Sequence, residues 1–338
     1  MKHRSMACIC AGIFAFCLSA ASARAQMKLN YSVFFPPTHK NAVLAVEWAK
    51  EIEKRTGGRV QITVFPSGTL TPADKCYDGV VKGISDIGFS VFAYTRGKFP
   101  LTEVSDLPLG IRSGVVATRV INEYYKKFKP KEFDEVKVMY LHGHGPGLLH
   151  TKKPVRRLED LKGMKIRCTG MAAKIINALG GIAVAMPMGD TYDAIHRGVV
   201  DGSMAPQESL QGWKWGEVVK YTTQNYGASY STGMFVVMNK KKWESLPPDI
   251  QRIIEKVNEE WMVKQGRVWD EIDREGARFT LKSGNKFIAL SRQEDMKWSK
   301  AVRPVLDEYV ENMKKKGLPG GEVLKFYMET IDKYQRKK

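Results

Sequence analysis

The run Pro154-Val155-Arg156-Arg157-Leu158-Glu159-Asp160-Leu161-Lys162-Gly163-Met164-Lys165-Ile166-Arg167 decides how this chain folds. Leu158 to Gly163 reads as a short helical turn closed by glycine, and Lys165-Ile166-Arg167-Cys168 as a strand. Gly170 to Leu179 follows as a helix stopped by Gly180-Gly181, then Ala183 to Met186 as a strand. Gly189 to His196 is a further helix ended by Gly198, and Val199 to Met204 a further strand. Such alternation predicts a largely parallel α/β sheet. Ligands of these sheets sit outside the carboxyl ends of the strands, so Arg167 is placed to aim its side chain into a crevice. A guanidinium there grips a carboxylate or sulfonate through two parallel charge-assisted hydrogen bonds, a fork that lysine lacks. From this local pattern alone, a surface or salt-bridged arginine is an equally good account.

The same alternation extends in both directions. Met27 to Phe34 reads as a strand ended by Pro36-Pro37. Asn41 to Arg55 reads as a helix with Ala42, Ala45, Val46, Ala49 and Ile52 on one stripe. Arg59 to Phe65 alternates as a half-buried strand, and Thr71-Pro72 offers an N-cap and first-turn proline for a helix through Lys82. Ile84 to Val91 is another strand. Towards the C-terminus, Phe235 to Met238 is an apolar strand, Pro247-Pro248 opens a long helix to about Arg278, and the remainder is mostly helical. With 338 residues, two α/β units joined by ordered crossovers are the simplest architecture.

The first 25 residues set the expected compartment. Lys2, His3 and Arg4 precede an uncharged stretch from Ala7 to Ala20, and Ala23-Arg24-Ala25 supplies small residues before Gln26. That is the order of a secretory signal cleaved after Ala25, with an apolar stretch too short for a membrane span. The whole chain has a formal charge of +18, and cleavage removes three cations and no anions, leaving +15. The cations are scattered, several near ends of expected helices, and no zinc-finger or aromatic-basic pattern appears. A solvated basic surface with no nucleic-acid partner is expected. Cys76 and Cys168 remain after cleavage, and nothing in the sequence brings them together.

Catalytic signatures are poor. There is no G-x-S-x-G, Walker loop, H-E-x-x-H or G-x-G-x-x-G. Gly143-His144-Gly145-Pro146-Gly147 is glycine-rich, but its proline and the lack of a following helix spoil it as a phosphate cradle. His142, His144 and His150 lack further ligands at telling spacing, Asp190 and Asp193 suit a helix first turn, and Glu208 has no identifiable carboxylate partner. No catalytic residue, cofactor or metal is expected, and a secreted α/β enzyme remains only as an alternative.

The 154–167 run resembles the signature of DctP-type solute-binding proteins of tripartite ATP-independent periplasmic (TRAP) transporters. Three further stretches agree in order and spacing: Gly57-Gly58-Arg59-Val60 with Phe65-Pro66-Ser67-Gly68-Thr69-Leu70, then Gly79 to Asp86, then Gly198-Val199-Val200-Asp201-Gly202. The resemblance implies a periplasmic protein with two α/β lobes, a cleft between them and a long helix spanning both. Lobe I is expected over 26–150 plus about 232–270, and lobe II over 151–231 plus about 280–338. The implied ligand is a small organic anion held by Arg167, delivered by cleft closure to the small and large membrane subunits of a TRAP permease. A monomer is expected, and import is driven by an ion gradient.

Two departures from that pattern bear on the ligand. Many members place an asparagine before the proline where this chain has Ala205-Pro206. Dicarboxylate binders often carry a second arginine near the position of Gly147-Leu148-Leu149. Both changes remove polar grips, so a second carboxylate lacks a partner. The expected ligand is a monoanion, either a small sulfonate such as isethionate or a monocarboxylate with an apolar or aromatic body. A C4-dicarboxylate or an aromatic or keto acid is the alternative. Besides Arg167, the cleft candidates by position are His39, Phe92, Tyr94, Met186, Met188, Met204, Gln207, Trp213 and Trp215. Tyr94 and Gln207 are the candidate donors to a third anion oxygen.

Overall fold

The structure, a computed structural model, describes residues 26–336; the expected signal segment lies outside the described residues. The first lobe is laid down by β1 (Met27–Val33), α1 (Lys40–Arg55), β2 (Val60–Phe65), α2 (Cys76–Val81), β3 (Ile87–Val91), α3 (Gly114–Phe128) and β4 (Val136–Gly143). The chain then crosses to β5 (Leu148–Thr151), β6 (Lys165–Cys168), α4 (Ala172–Ala178), β7 (Ile182–Ala185), α5 (Thr191–His196), β8 (Gly202–Ala205), α6 (Ser209–Gly212) and β9 (Tyr221–Gln224). It returns as β10 (Gly233–Asn239), α7 (Lys240–Glu244) and α8 (Pro248–Lys282), and ends with β11 (Lys286–Ala289), α9 (Arg292–Lys315) and α10 (Gly320–Gln335).

Two sheets result, in the orders β2-β1-β3-β10-β4 and β11-β9-β5-β8-β6-β7. In the first, β1 runs parallel to β2 and β3, whereas the returning β10 is antiparallel to β3 and β4. In the second, β6 runs parallel to β7 and β8, whereas β5 is antiparallel to β8 and β9. The sheets are therefore mixed. Each lobe is closed by a strand that enters from the other lobe, and such a strand arrives in the opposite sense.

Local physics explains most element ends. His39 caps α1 through its ring, and Lys54 and Arg55 sit in the last turn, where cations complement the helix dipole. Pro248 occupies the first position of α8, which runs 35 residues, or about 50 Å at 1.5 Å per residue. Along it Ile250, Ile254, Val257, Trp261 and Trp269 bury into the first lobe. The helix then reaches the second lobe and hands the chain to β11.

Two expectations give way. Thr71 does not cap a helix: its hydroxyl is 2.6 Å from Ser32 Oγ, and α2 begins only at Cys76. Residues 280–338 do not all belong to the second lobe. Trp298 and Val302 of α9 bury there, but Val305, Tyr309 and Met313 join the first-lobe core together with Val323, Tyr327 and Ile331 of α10. Cys76 and Cys168 are both free and buried.

Candidate functional site

Arg167 ends β6 between two parallel neighbours, opposite Val184 of β7 and Ser203 of β8. It is 1% exposed. Its Nε and Nη2 donate to the Met186 carbonyl at 3.0 and 2.7 Å, and Nη1 lies 3.1 Å from the Met188 sulfur. The guanidinium stands over the Trp215 indole, 5.6 Å from the ring centroid, and that indole is fully buried. Among the described residues no carboxylate lies within ion-pair distance of Arg167. A buried guanidinium has five N–H donors, and here the Met186 carbonyl, the weak Met188 thioether and the nearby Tyr94 hydroxyl are the neutral acceptors beside them. A buried cation without a counter-charge is costly, so the site is built to receive an anion.

The wall facing Arg167 comes from the first lobe. Phe34 and Phe35 follow β1, and Tyr94 ends the short turn Phe92–Tyr94 after β3. With Val91, Met234 and Trp269 they make one aromatic-rich face of a pocket, closed on the second-lobe side by Arg167, Thr169, Met188 and Tyr230. Phe34 and Phe35 stack at 4.1 Å, and Trp269 stands edge-on to Phe35 at 6.2 Å. The pocket encloses about 30 Å³, less than an organic acid requires, so the lobes stand closed. Two larger cavities flank it. One of about 490 Å³ shares Tyr94 and Thr169 with it, and one of about 530 Å³ shares Phe34 and Met188. Tyr94 and Met188 are thus the partition between the inner pocket and the outside.

The polar groups around the pocket have fixed roles. Tyr94 Oη accepts the Met188 backbone N–H at 3.1 Å, which leaves its own proton to donate. Burial pushes that phenol above its ordinary pKa, so it stays protonated, although Arg167 pulls the other way. His144 donates from Nδ1 to the Gly145 carbonyl and accepts the Thr232 N–H at Nε2, 2.9 Å away. Burial lowers its pKa to about 4, so it is neutral. Thr232 Oγ1 is buried, lines the pocket and has no protein partner.

The candidates read from sequence separate into groups. Arg167, Tyr94 and Met188 meet in the pocket. Met186 contributes its carbonyl to Arg167, and Trp215 lies beneath the guanidinium. Trp213 packs on Phe34 at 6.2 Å and lines the outer 530 Å³ cavity. His39 lies beside the pocket, paired with Glu208 at 2.8 Å.

Three candidates lie elsewhere. Phe92 is a core residue, packed on Phe99, Phe133 and Phe235, because its short 3₁₀ turn points residues 92 and 94 to opposite sides. Met204 is buried in the second-lobe core. Gln207 does not line the pocket, and its main chain packs on α8 at Gly276. Sequence reading missed Phe34, Phe35, Tyr230, Trp269 and the His39–Glu208 pair. The strand-end rule that singled out Arg167 also marks Phe34 and Phe35, which follow the carboxyl end of β1.

The glycine-rich run is a hinge crossing. Gly147 donates its N–H to the Tyr230 carbonyl at 2.7 Å, and a Cβ there would lie 2.2 Å from the Tyr230 ring. An aromatic ring therefore fills the neighbourhood where a second arginine was sought.

Residues 32–312 match the bacterial extracellular solute-binding protein family 7, DctP. The chain is 25% identical to the outer membrane transporter protein TsaT of Comamonas testosteroni, over 97% of this chain and 98% of that one. It is 33% identical to a TRAP periplasmic solute-binding protein from Desulfovibrio salexigens, with a TM-score of 0.83 over 93% of this chain and 98% of that one. That protein was solved as an open complex with the C-terminus of a symmetry mate in its ligand-binding site. A TRAP solute-binding protein from Rhodoferax ferrireducens, solved with copurified benzoate, is 29% identical with a TM-score of 0.87, covering 92% and 99% of the two chains.

Proposed function

The chain belongs to the DctP family of bacterial extracellular solute-binding proteins, and from that premise we propose that its ligand is an aromatic monocarboxylate held through its acid group by Arg167. It is a TRAP solute-binding protein for small organic anions and not an enzyme, and it works in the periplasm. The observation that carries the proposal is Arg167 itself, a buried cation with no carboxylate partner among the described residues, facing a wall of aromatic rings. One acid group satisfies the guanidinium, and a flat apolar body admitted as the lobes part packs against Phe34, Tyr230 and Trp269. The two-carbon body of isethionate offers those rings no aromatic face. The benzoate of the Rhodoferax relative supports the same class.

An arylsulfonate is the second reading. The unpartnered Thr232 hydroxyl supports it, since a sulfonate brings a third oxygen that needs a donor. In either case the ligand touches Arg167 from the second lobe and Tyr94 from the first, so it stabilises the closed form over the open one. The closed, loaded protein then docks on the small and large permease subunits that the family implies.

A thermal-shift panel of benzoate, mandelate, benzenesulfonate, isethionate and succinate tests this reading. The aromatic monoanions raise the melting temperature, and isethionate and succinate do not. A response to succinate alone contradicts it.

A further inference from the structure

We propose that Glu208 is a specificity-determining residue that turns away a second acid group on the ligand and accepts a hydroxyl in its place. This rests on the reading of an aromatic monoanion site and goes beyond it. Glu208 lines the same pocket as Arg167, and its side chain is 2% exposed. Its carboxylate meets His39 Nε2 at 2.8 Å.

The charge state of that pair follows from helix capping. His39 is the N-cap of α1, and its Nδ1 accepts the backbone N–H of Asn41 at 3.2 Å. An accepting ring nitrogen carries no proton, so the ring's single proton sits on Nε2 and is donated to Glu208 Oε2. Glu208 therefore has a hydrogen-bond donor but no counter-charge from His39.

Among the described residues, Arg167 is the sole Lys or Arg that lines the pocket. Behind Glu208, Asp273 of α8 accepts the Glu208 backbone N–H at 2.9 Å. Burial, with the nearby Glu208 carboxylate adding to it, pushes the Asp273 carboxyl well above the usual carboxylate range. Once the ligand's acid group neutralises Arg167, Glu208 is the remaining charge on the wall. A second ionised group then meets a like charge in a dry pocket, which costs on the order of 100-fold in affinity. A hydroxyl instead gains a charge-assisted hydrogen bond to Glu208.

Titration calorimetry on the full mature chain separates charge from size. The probes are benzoate, 3- and 4-hydroxybenzoate, isophthalate and terephthalate, and the neutral isosteres 3- and 4-carbamoylbenzoate. The wild type is expected to bind benzoate, to bind a hydroxybenzoate at least as well, and to bind a carbamoylbenzoate at least 30-fold more tightly than the matching diacid, on the order set by like-charge repulsion. In Glu208→Gln, checked for folding by its melting curve, that ratio falls at least 10-fold, a drop in the same repulsion. Equal binding of a diacid and its isostere by the wild type overturns the proposal, with or without a folded variant. So does rejection of both isosteres alongside benzoate binding, which would make the exclusion one of size. If no aromatic monoacid binds at all, the parent reading fails first and takes this one with it.

Discussion

Met188 donates its backbone N–H to the hydroxyl of Tyr94 at 3.1 Å, joining the second lobe to the first at the mouth of the Arg167 pocket. The same hydroxyl lines the pocket beside Arg167 and keeps its own proton to donate. Closing the cleft and completing the site are therefore one event.

Replacing Tyr94 by Phe keeps the ring and removes that joint. A neutral hydrogen bond is worth about 1 kcal/mol net, so the closed-to-open ratio should fall roughly fivefold and the ligand should lose up to about as much in affinity. Small-angle scattering should show a larger radius of gyration for the unliganded variant, and calorimetry a weaker Kd. An unchanged radius together with unchanged affinity contradicts the role given to Tyr94.

Gly276 lies inside α8, where Ala would ordinarily stabilise a helix by about 1 kcal/mol. Here the sign reverses. A Cβ at 276 would lie 2.2 Å from the Gln207 carbonyl oxygen and 3.0 Å from Glu208 Cα, both main-chain atoms. Gly276→Ala must push α8 off the segment that carries Glu208, and a loss of about 1–3 kcal/mol is expected in urea denaturation. A stabilised variant shows that the contact is loose.

Asp106 accepts the Gly233 N–H and the Ser105 hydroxyl on one oxygen, each at 2.9 Å, where the chain re-enters the first lobe. Burial raises its carboxyl from 3.8 to about 7. Between those values the folded chain keeps a proton that the unfolded chain releases, so this contribution to stability is full below about pH 4 and is lost as pH rises to about 7. Asp106→Asn preserves the accepting oxygen and does not titrate. The wild type should therefore lose stability relative to the variant from pH 5 to pH 7, by roughly 1.4 kcal/mol per unit at most. A difference independent of pH shows that Asp106 is ionised throughout.

How much of this was legible in the sequence depended on range. The β6 strand, its terminal Arg167 and the turn before it are local, and glycine and strand-end rules suffice to find them. Tyr94 and Met188 were named by position, and both line the pocket. Trp269 enters from α8 and Tyr230 from the return crossover, and both look like ordinary core aromatics until the lobes are assembled. Phe92 and Tyr94 are two residues apart, but one turn sends them to opposite sides. The last stretch read only as mostly helical; that α10 packs on α3 of the first lobe depended on long-range topology. Glu208 was visible only as an acid without a carboxylate partner, because its partner is the capping histidine 169 positions earlier.

The central claim is that one buried arginine captures the anion. Arg167→Met removes the cation while retaining an apolar side chain of similar length, and among the described residues no ion-paired carboxylate is left behind. Titrating benzoate into the wild type and into Arg167→Met tests the claim directly. The account predicts one-site binding by the wild type and a loss of at least about 100-fold in a variant that still melts cooperatively. Equal affinity in the two chains would contradict it.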